Sequence, residues 1–246
     1  MNNRSQGAFW GTAVVVLAFG AAMGYLEAAV VVYLRAALEL GPAGVALTHD
    51  PGAFGAYGAV EVARELATLV MIAAVGWLAG RGGVERLAWA SVAFGTWDVV
   101  YYLGLRLIAD WPPSLDAWDI LFLVPVPWVG PVWAPIVVSA ALIGFGLAAA
   151  HRLRSGRPIR VGAVRAIAAT VGAGLIIVSF LVDGGRVHAA QMPAWSGWPL
   201  FGAGMLLGIL AAATALTARS TSALPRVPNR AGGRPSVGSP DASTPP

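Results

Sequence analysis

Four acidic residues, Glu27, Glu61, Glu65 and Asp98, lie within stretches otherwise apolar enough to cross a bilayer. An ionisable group at mid-membrane costs about 2.5 to 3.5 kcal/mol on translocon scales, so it is retained where it faces protein, water or a ligand. Carboxylates in that setting can hold a hard cation, relay a proton or act as a general base, and packed together they raise one another's proton affinity. Glu27 and Arg35 are eight residues apart, within about 80° of each other on a helix. Glu61, Arg64, Glu65 and Thr68 form one stripe at i, i+3, i+4 and i+7 spacing. Asp98, Tyr101, Tyr102 and Arg106 repeat the theme inside Phe94-Gly95-Thr96-Trp97-Asp98-Val99-Val100-Tyr101-Tyr102 and the turn that follows it.

The expectation is one cavity in which these four carboxylates face Arg35, Arg64 and Arg106, with Asp98 deepest and the two tyrosines serving packing or interface roles. The competing reading is a set of ion pairs that fixes helix register and binds nothing. An excess of carboxylate over guanidinium argues against it, as does the small stability that buried ion pairs confer. A second Trp-Asp pair, Trp118-Asp119, is followed by Phe122 much as Trp97-Asp98 is followed by Tyr101, and a re-entrant segment there would let Asp119 cap the cavity.

Several chemistries are absent. The chain has no cysteine, which removes disulfides, thiolate metal sites and cysteine nucleophiles. His49 and His188 fall in loops and His151 at a membrane boundary, so no histidine pair reaches membrane depth to ligate haem or catalytic zinc. The carboxylate spacing matches no ligand motif, so no metal is assigned and the cofactor is left open. P-loop, dinucleotide-binding, HExxH and GxSxG patterns do not occur.

The elements that must position these groups are membrane helices. Of 246 residues 57% are hydrophobic and 11% charged, beyond the range of a soluble domain. The reading is an all-α polytopic transmembrane bundle in one domain, residues 1–217, with spans near 8–38, 57–80, 86–108, 131–151, 161–182 and 199–217. Trp111-Pro112-Pro113-Ser114 ends the third span and offers an N-cap to a short element near 115–124. Prolines 125, 127, 131 and 135 then bar a regular helix, so 115–130 reads as interfacial or re-entrant. Gly20/Gly24 and Ser91/Gly95 form small-residue pairs beside Glu27 and Asp98, which turns the polar stripes toward close-packed faces. The first apolar run continues for a dozen residues past Gly20-Ala21-Ala22, which favours a span over a cleaved signal peptide. Residues 218–246 read as a disordered cytoplasmic tail.

All sixteen basic residues are arginine. With six spans, Arg4, the 81–86 turn, the 151–165 loop and the tail share one side, and only Arg186 lies in the opposite loops. The positive-inside rule places both termini in the cytoplasm of a cell-membrane protein, and the cavity in the outer half of the bilayer. The same pattern gives lipid bilayer and anionic headgroups as the partners of these arginines and no nucleic acid, with room for a homo-oligomer or another membrane partner. Trp89 is expected in the inner aromatic belt with Trp10 and Trp77. The functional expectation is a permease-like or ligand-binding membrane protein for a cation, proton-coupled solute or polar headgroup. The alternatives are a membrane enzyme acting on a lipid or isoprenoid, with Asp98 or Glu65 as base and Arg64 or Arg106 on phosphate, and a non-catalytic assembly subunit.

Overall fold

The computed structural model describes residues 3–37, 57–124, 126–184 and 195–218. The expected tail, the loops at 39–56 and 185–194, and with them His49 and His188, lie outside the described residues. The architecture is mostly helical: α1 (Asn3–Ala37), α2 (Tyr57–Ala79), α3 (Gly83–Ala109), a β-hairpin of β1 (Trp118–Phe122) and β2 (Trp128–Pro131), then α4 (Trp133–Arg154), α5 (Ala163–Leu181) and α6 (Trp198–Thr217). All six helices are long and apolar enough to cross a membrane.

Helix α3 is the axis of the bundle; α1, α2 and α4 all pack on it, while α1 and α2 scarcely touch each other. Helices long and apolar enough to cross a membrane gain contact through close approach of backbones at small residues. Gly20 and Gly24 do this for α1: a Cβ at Gly20 would stand 2.9 Å from the Ala93 carbonyl, and one at Gly24 would collide with the Trp97 carbonyl. The Ser91/Gly95 face of α3 turns the other way, with Gly95 set against the Ser139 backbone of α4. Helices α5 and α6 pair through Gly172 and Gly204 and lean on α4 and the hairpin, with Phe180 and Phe201 packed on Ala134.

The short element after Trp111 is not helical. Trp118–Phe122 and Trp128–Pro131 form an antiparallel pair with Trp118 opposite Pro131, Asp119 opposite Gly130, Ile120 opposite Val129 and Phe122 opposite Trp128, the register breaking between Ile120 and Phe122. Proline removes donors that a helix needs at every position, whereas a two-stranded pair uses only one edge of each strand, and Trp, Ile, Phe and Val suit that geometry. The prolines also delay α4, which begins at Trp133 because Pro131 is still paired with β1. Trp89, expected in the inner aromatic belt, is 0% exposed, packed beside Phe9 with its indole N–H donating to Glu85 at the end opposite the hairpin.

Candidate functional site

A cavity of about 100 Å³ opens between α1, α2, α3 and β1. Its wall brings together Glu27 and Arg35 from α1, Glu61, Arg64 and Glu65 from α2, and Asp98, Tyr101 and Tyr102 from α3. The hairpin adds Asp119. Arg106 is left out. Its side chain is 52% exposed and turns to its own helix end, donating to the Asp110 carbonyl at 2.8 Å and lying 3.7 Å from the Asp110 carboxylate. Eight residues beyond Asp98 on α3 and past the last buried turn at Leu105, it shares the stripe's spacing but not its side of the packing.

Arg64 is the organiser of the α1–α2 seam. Its guanidinium donates to Glu27 and to both oxygens of Glu61, the Nε contact measuring 3.0 Å. The hydroxyl of Thr68, one turn on, reaches the second oxygen of Glu27 at 3.4 Å. These contacts span helices that otherwise barely meet, so the carboxylates hold the seam as well as line the cavity.

Glu65 has a different task. Both of its oxygens accept the backbone N–H of Leu123, at 2.9 and 3.1 Å. A strand end within an apolar bundle carries donors that no water serves, and each such orphan costs free energy until a partner is supplied. Glu65 supplies it and fastens the hairpin over the cavity. Asp98, 8% exposed, accepts from the Ser139 hydroxyl of α4 at 2.8 Å, and Asp119 accepts from the Tyr102 hydroxyl at 3.1 Å. Burial pushes the Asp119 carboxyl up to about 6, against the opposing pull of the Arg35 charge, the Tyr102 hydroxyl and the Ile120 N–H. The Tyr102 ring meets Tyr101 edge to face, 5.0 Å between centroids.

Two donors in this wall are unsatisfied. The indole N–H of Trp97, a residue 5% exposed, and Nη1 of Arg35 have no hydrogen-bond partner among the described residues. The Arg35 guanidinium lies 4.8 Å over the Trp111 ring, a cation–π contact that leaves Nη1 without an acceptor among the described residues. Among the described residues no three acidic or histidine side chains are placed to hold one metal ion.

A second polar centre closes the far end. Arg154, from the arginine-rich segment expected to face headgroups, turns inward and donates to Glu85 of α3 at 2.6 Å, to the Ala8 carbonyl and Thr12 hydroxyl of α1 at 2.7 Å each, and to the Ala79 carbonyl of α2 at 2.9 Å. Glu85 also accepts from the Arg81 backbone and the Trp89 indole. One guanidinium therefore ties α4 to three other helices.

Sequence reasoning missed Ser139, Leu123, Glu85 and Arg154. A lone serine in an apolar span ordinarily bonds its own helix, and a backbone donor has no residue signature. Glu85 and Arg154 were each legible as charges at a span end, but not as partners. No family model matches the chain, and neither a curated protein nor a solved structure is significantly similar to it.

Proposed function

We propose that this chain is a multi-pass integral membrane protein, permease-like or ligand-binding, that admits a small cation or a proton-coupled solute to the cavity between α1, α2, α3 and the hairpin. The observation that carries the reading is the charge of the wall. Five carboxylates, counting Asp119, face two guanidiniums, because Arg106 stays outside. Carboxylates in excess cannot remain ionised together in a low-dielectric site, so the cavity takes up protons, a cation or both.

Topology gives the direction. Arg81, Arg86, Arg157, Arg160 and Arg165 gather at the end opposite the hairpin, and the positive-inside rule assigns that end to the cytoplasm of a cell membrane. The cavity then faces outward, both termini face inward, and the Glu85–Arg154 clasp seals the inner end. The exposed arginines of that end, Arg81, Arg157 and Arg160, meet anionic headgroups, whereas Arg152 and Arg154 bond within the protein.

The test is uptake of radiolabelled methylguanidinium, a permanent cation, into proteoliposomes under an inward-negative potential. Asp98→Asn keeps an acceptor for Ser139 while removing the charge, and uptake is expected to fall at least about tenfold, the scale of one charge-assisted hydrogen bond. Wild-type uptake no faster than in empty liposomes overturns the reading; undiminished uptake by Asp98→Asn overturns the role of Asp98.

A further inference from the structure

The two strands of the hairpin are held differently. In β2, Val129, Gly130 and Pro131 are all buried, and the strand packs on α4 and α5. The approach at Gly130 is close, since a Cβ there would stand 2.9 Å from the Phe180 ring. In β1 only Asp119 is buried, and among the described residues no helix makes a comparable backbone contact with the strand. Yet β1 gives Asp119, Ile120, Leu121 and Phe122 to the cavity wall, with Leu123 just past its end. The ladder is extended at one end only. Val132 donates to the Ala117 carbonyl and Trp133 to the Leu115 carbonyl, at 2.9 Å each, while pairing turns irregular between Ile120 and Phe122. The Phe122–Leu123 end is therefore the looser one.

Two polar ties draw this wall onto the helices: the Leu123 N–H to Glu65 of α2, and the Tyr102 hydroxyl of α3 to Asp119. Both end on carboxylates of the acidic wall, the groups that a cation engages. A hydrogen bond to an ionised acceptor is about twice as strong as one between neutral groups, so a cation drawing on the same oxygens weakens both ties. The ring contact of Phe122 with Trp97, 6.0 Å between centroids, parts without stranding a polar group. Resting on the cavity reading above, we infer that β1 is a lid on the cavity, hinged along β2 and latched by Glu65 and Asp119, which opens as a cation takes those carboxylates.

The chain has no cysteine, so a thiol placed in the cavity reports access without background. Val31→Cys lies in the wall on α1, a helix that takes part in neither tie. Its labelling by methyl methanethiosulfonate, a small neutral reagent, is timed on the full chain in nanodiscs, with Gly11→Cys, in open space, as the reference. Glu65→Leu is expected to quicken labelling at Val31→Cys about tenfold or more, the scale of one charge-assisted bond, and Glu65→Gln, which keeps an acceptor oxygen, by less. In the wild-type chain, saturating methylguanidinium should speed hydrogen exchange at the Leu123 amide about threefold or more, with the Val132 amide, at the hinge, unchanged. Labelling that ignores Glu65→Leu, or that rises equally in both variants, overturns the lid. So does a Val132 amide that quickens with Leu123, which is unfolding of the pair rather than its opening. Methylguanidinium that binds and leaves Leu123 exchange unchanged overturns the coupling of lid to cation. Methylguanidinium that does not bind overturns the cation reading alone, because the neutral reagent still reports the lid.

Discussion

Replacing Arg154 with methionine is expected to destabilise the bundle by about 3 to 5 kcal/mol, the usual cost of removing one partner from a buried ion pair. Arg154 and Glu85 are both 7% exposed at the side chain, so solvent screening does little to reduce that figure. Four hydrogen bonds to α1, α2 and α3 disappear together, and Glu85 is left with the Arg81 N–H and the Trp89 indole as its remaining donors. Methionine retains most of the arginine's apolar stem, so the loss reports the guanidinium, including its place 5.3 Å over the Trp89 ring. The double variant Arg154→Met, Glu85→Gln should recover at least half of the loss, because the uncompensated charge is then gone. Reversible unfolding of the full chain in mixed micelles, followed by tryptophan fluorescence, gives both values. A loss below about 1 kcal/mol for Arg154→Met would refute the clasp, since that is the scale of an exposed pair.

Three further outcomes follow from particular contacts. Glu65→Leu removes the acceptor of the Leu123 N–H, and hydrogen exchange at that amide should quicken by about tenfold or more, while amides of the α5–α6 pair are unchanged. Gly24→Val sets two methyl groups against the Trp97 carbonyl, and should lower stability by about 1 to 3 kcal/mol or more in the same micelle assay, with Gly11→Val, in open space, nearly neutral. Asp119 holds its proton more tightly in the fold than in the unfolded chain, its value being raised to about 6 from 3.8. Its contribution is therefore fully present below about pH 4 and is lost as pH rises through about 6. Asp119→Asn should flatten the decline of stability with pH across that window, and an unchanged slope would contradict the assignment.

How much of this was legible in the sequence depended on whether a feature lay within one segment. Span length and the stripe spacing of Glu61, Arg64, Glu65 and Thr68 are local, and they were sufficient to place those residues on one helix face. Facing is not local: Arg106 carries the right spacing, yet α3 leaves its last turn outside the packing, and no periodicity reports where a neighbouring helix ends. Gly95, marked in the sequence as half of a small-residue pair, does lie at a close approach, but the sequence could not say that α4, and with it Ser139, would fill it. The prolines barred a helix from 125 on, but the N-cap at Ser114 pointed to a short capped element near 115–124, and nothing local selected the strand pair whose end, at Leu123, meets an acceptor on α2. The burial of Trp89 was illegible for the same reason: Glu85 and Arg154, beside it, meet only once four helices are assembled.

The central claim is that the carboxylates of α1, α2, α3 and β1 form one cation site with Asp98 in it. Calorimetric titration of methylguanidinium into the purified full chain in nanodiscs, wild type beside Asp98→Asn, tests it most directly. The account predicts saturable one-site binding to the wild-type chain that weakens at least about tenfold in the variant while its thermal unfolding stays close to wild type. Equal binding by both chains, or no saturable binding by either, would contradict it.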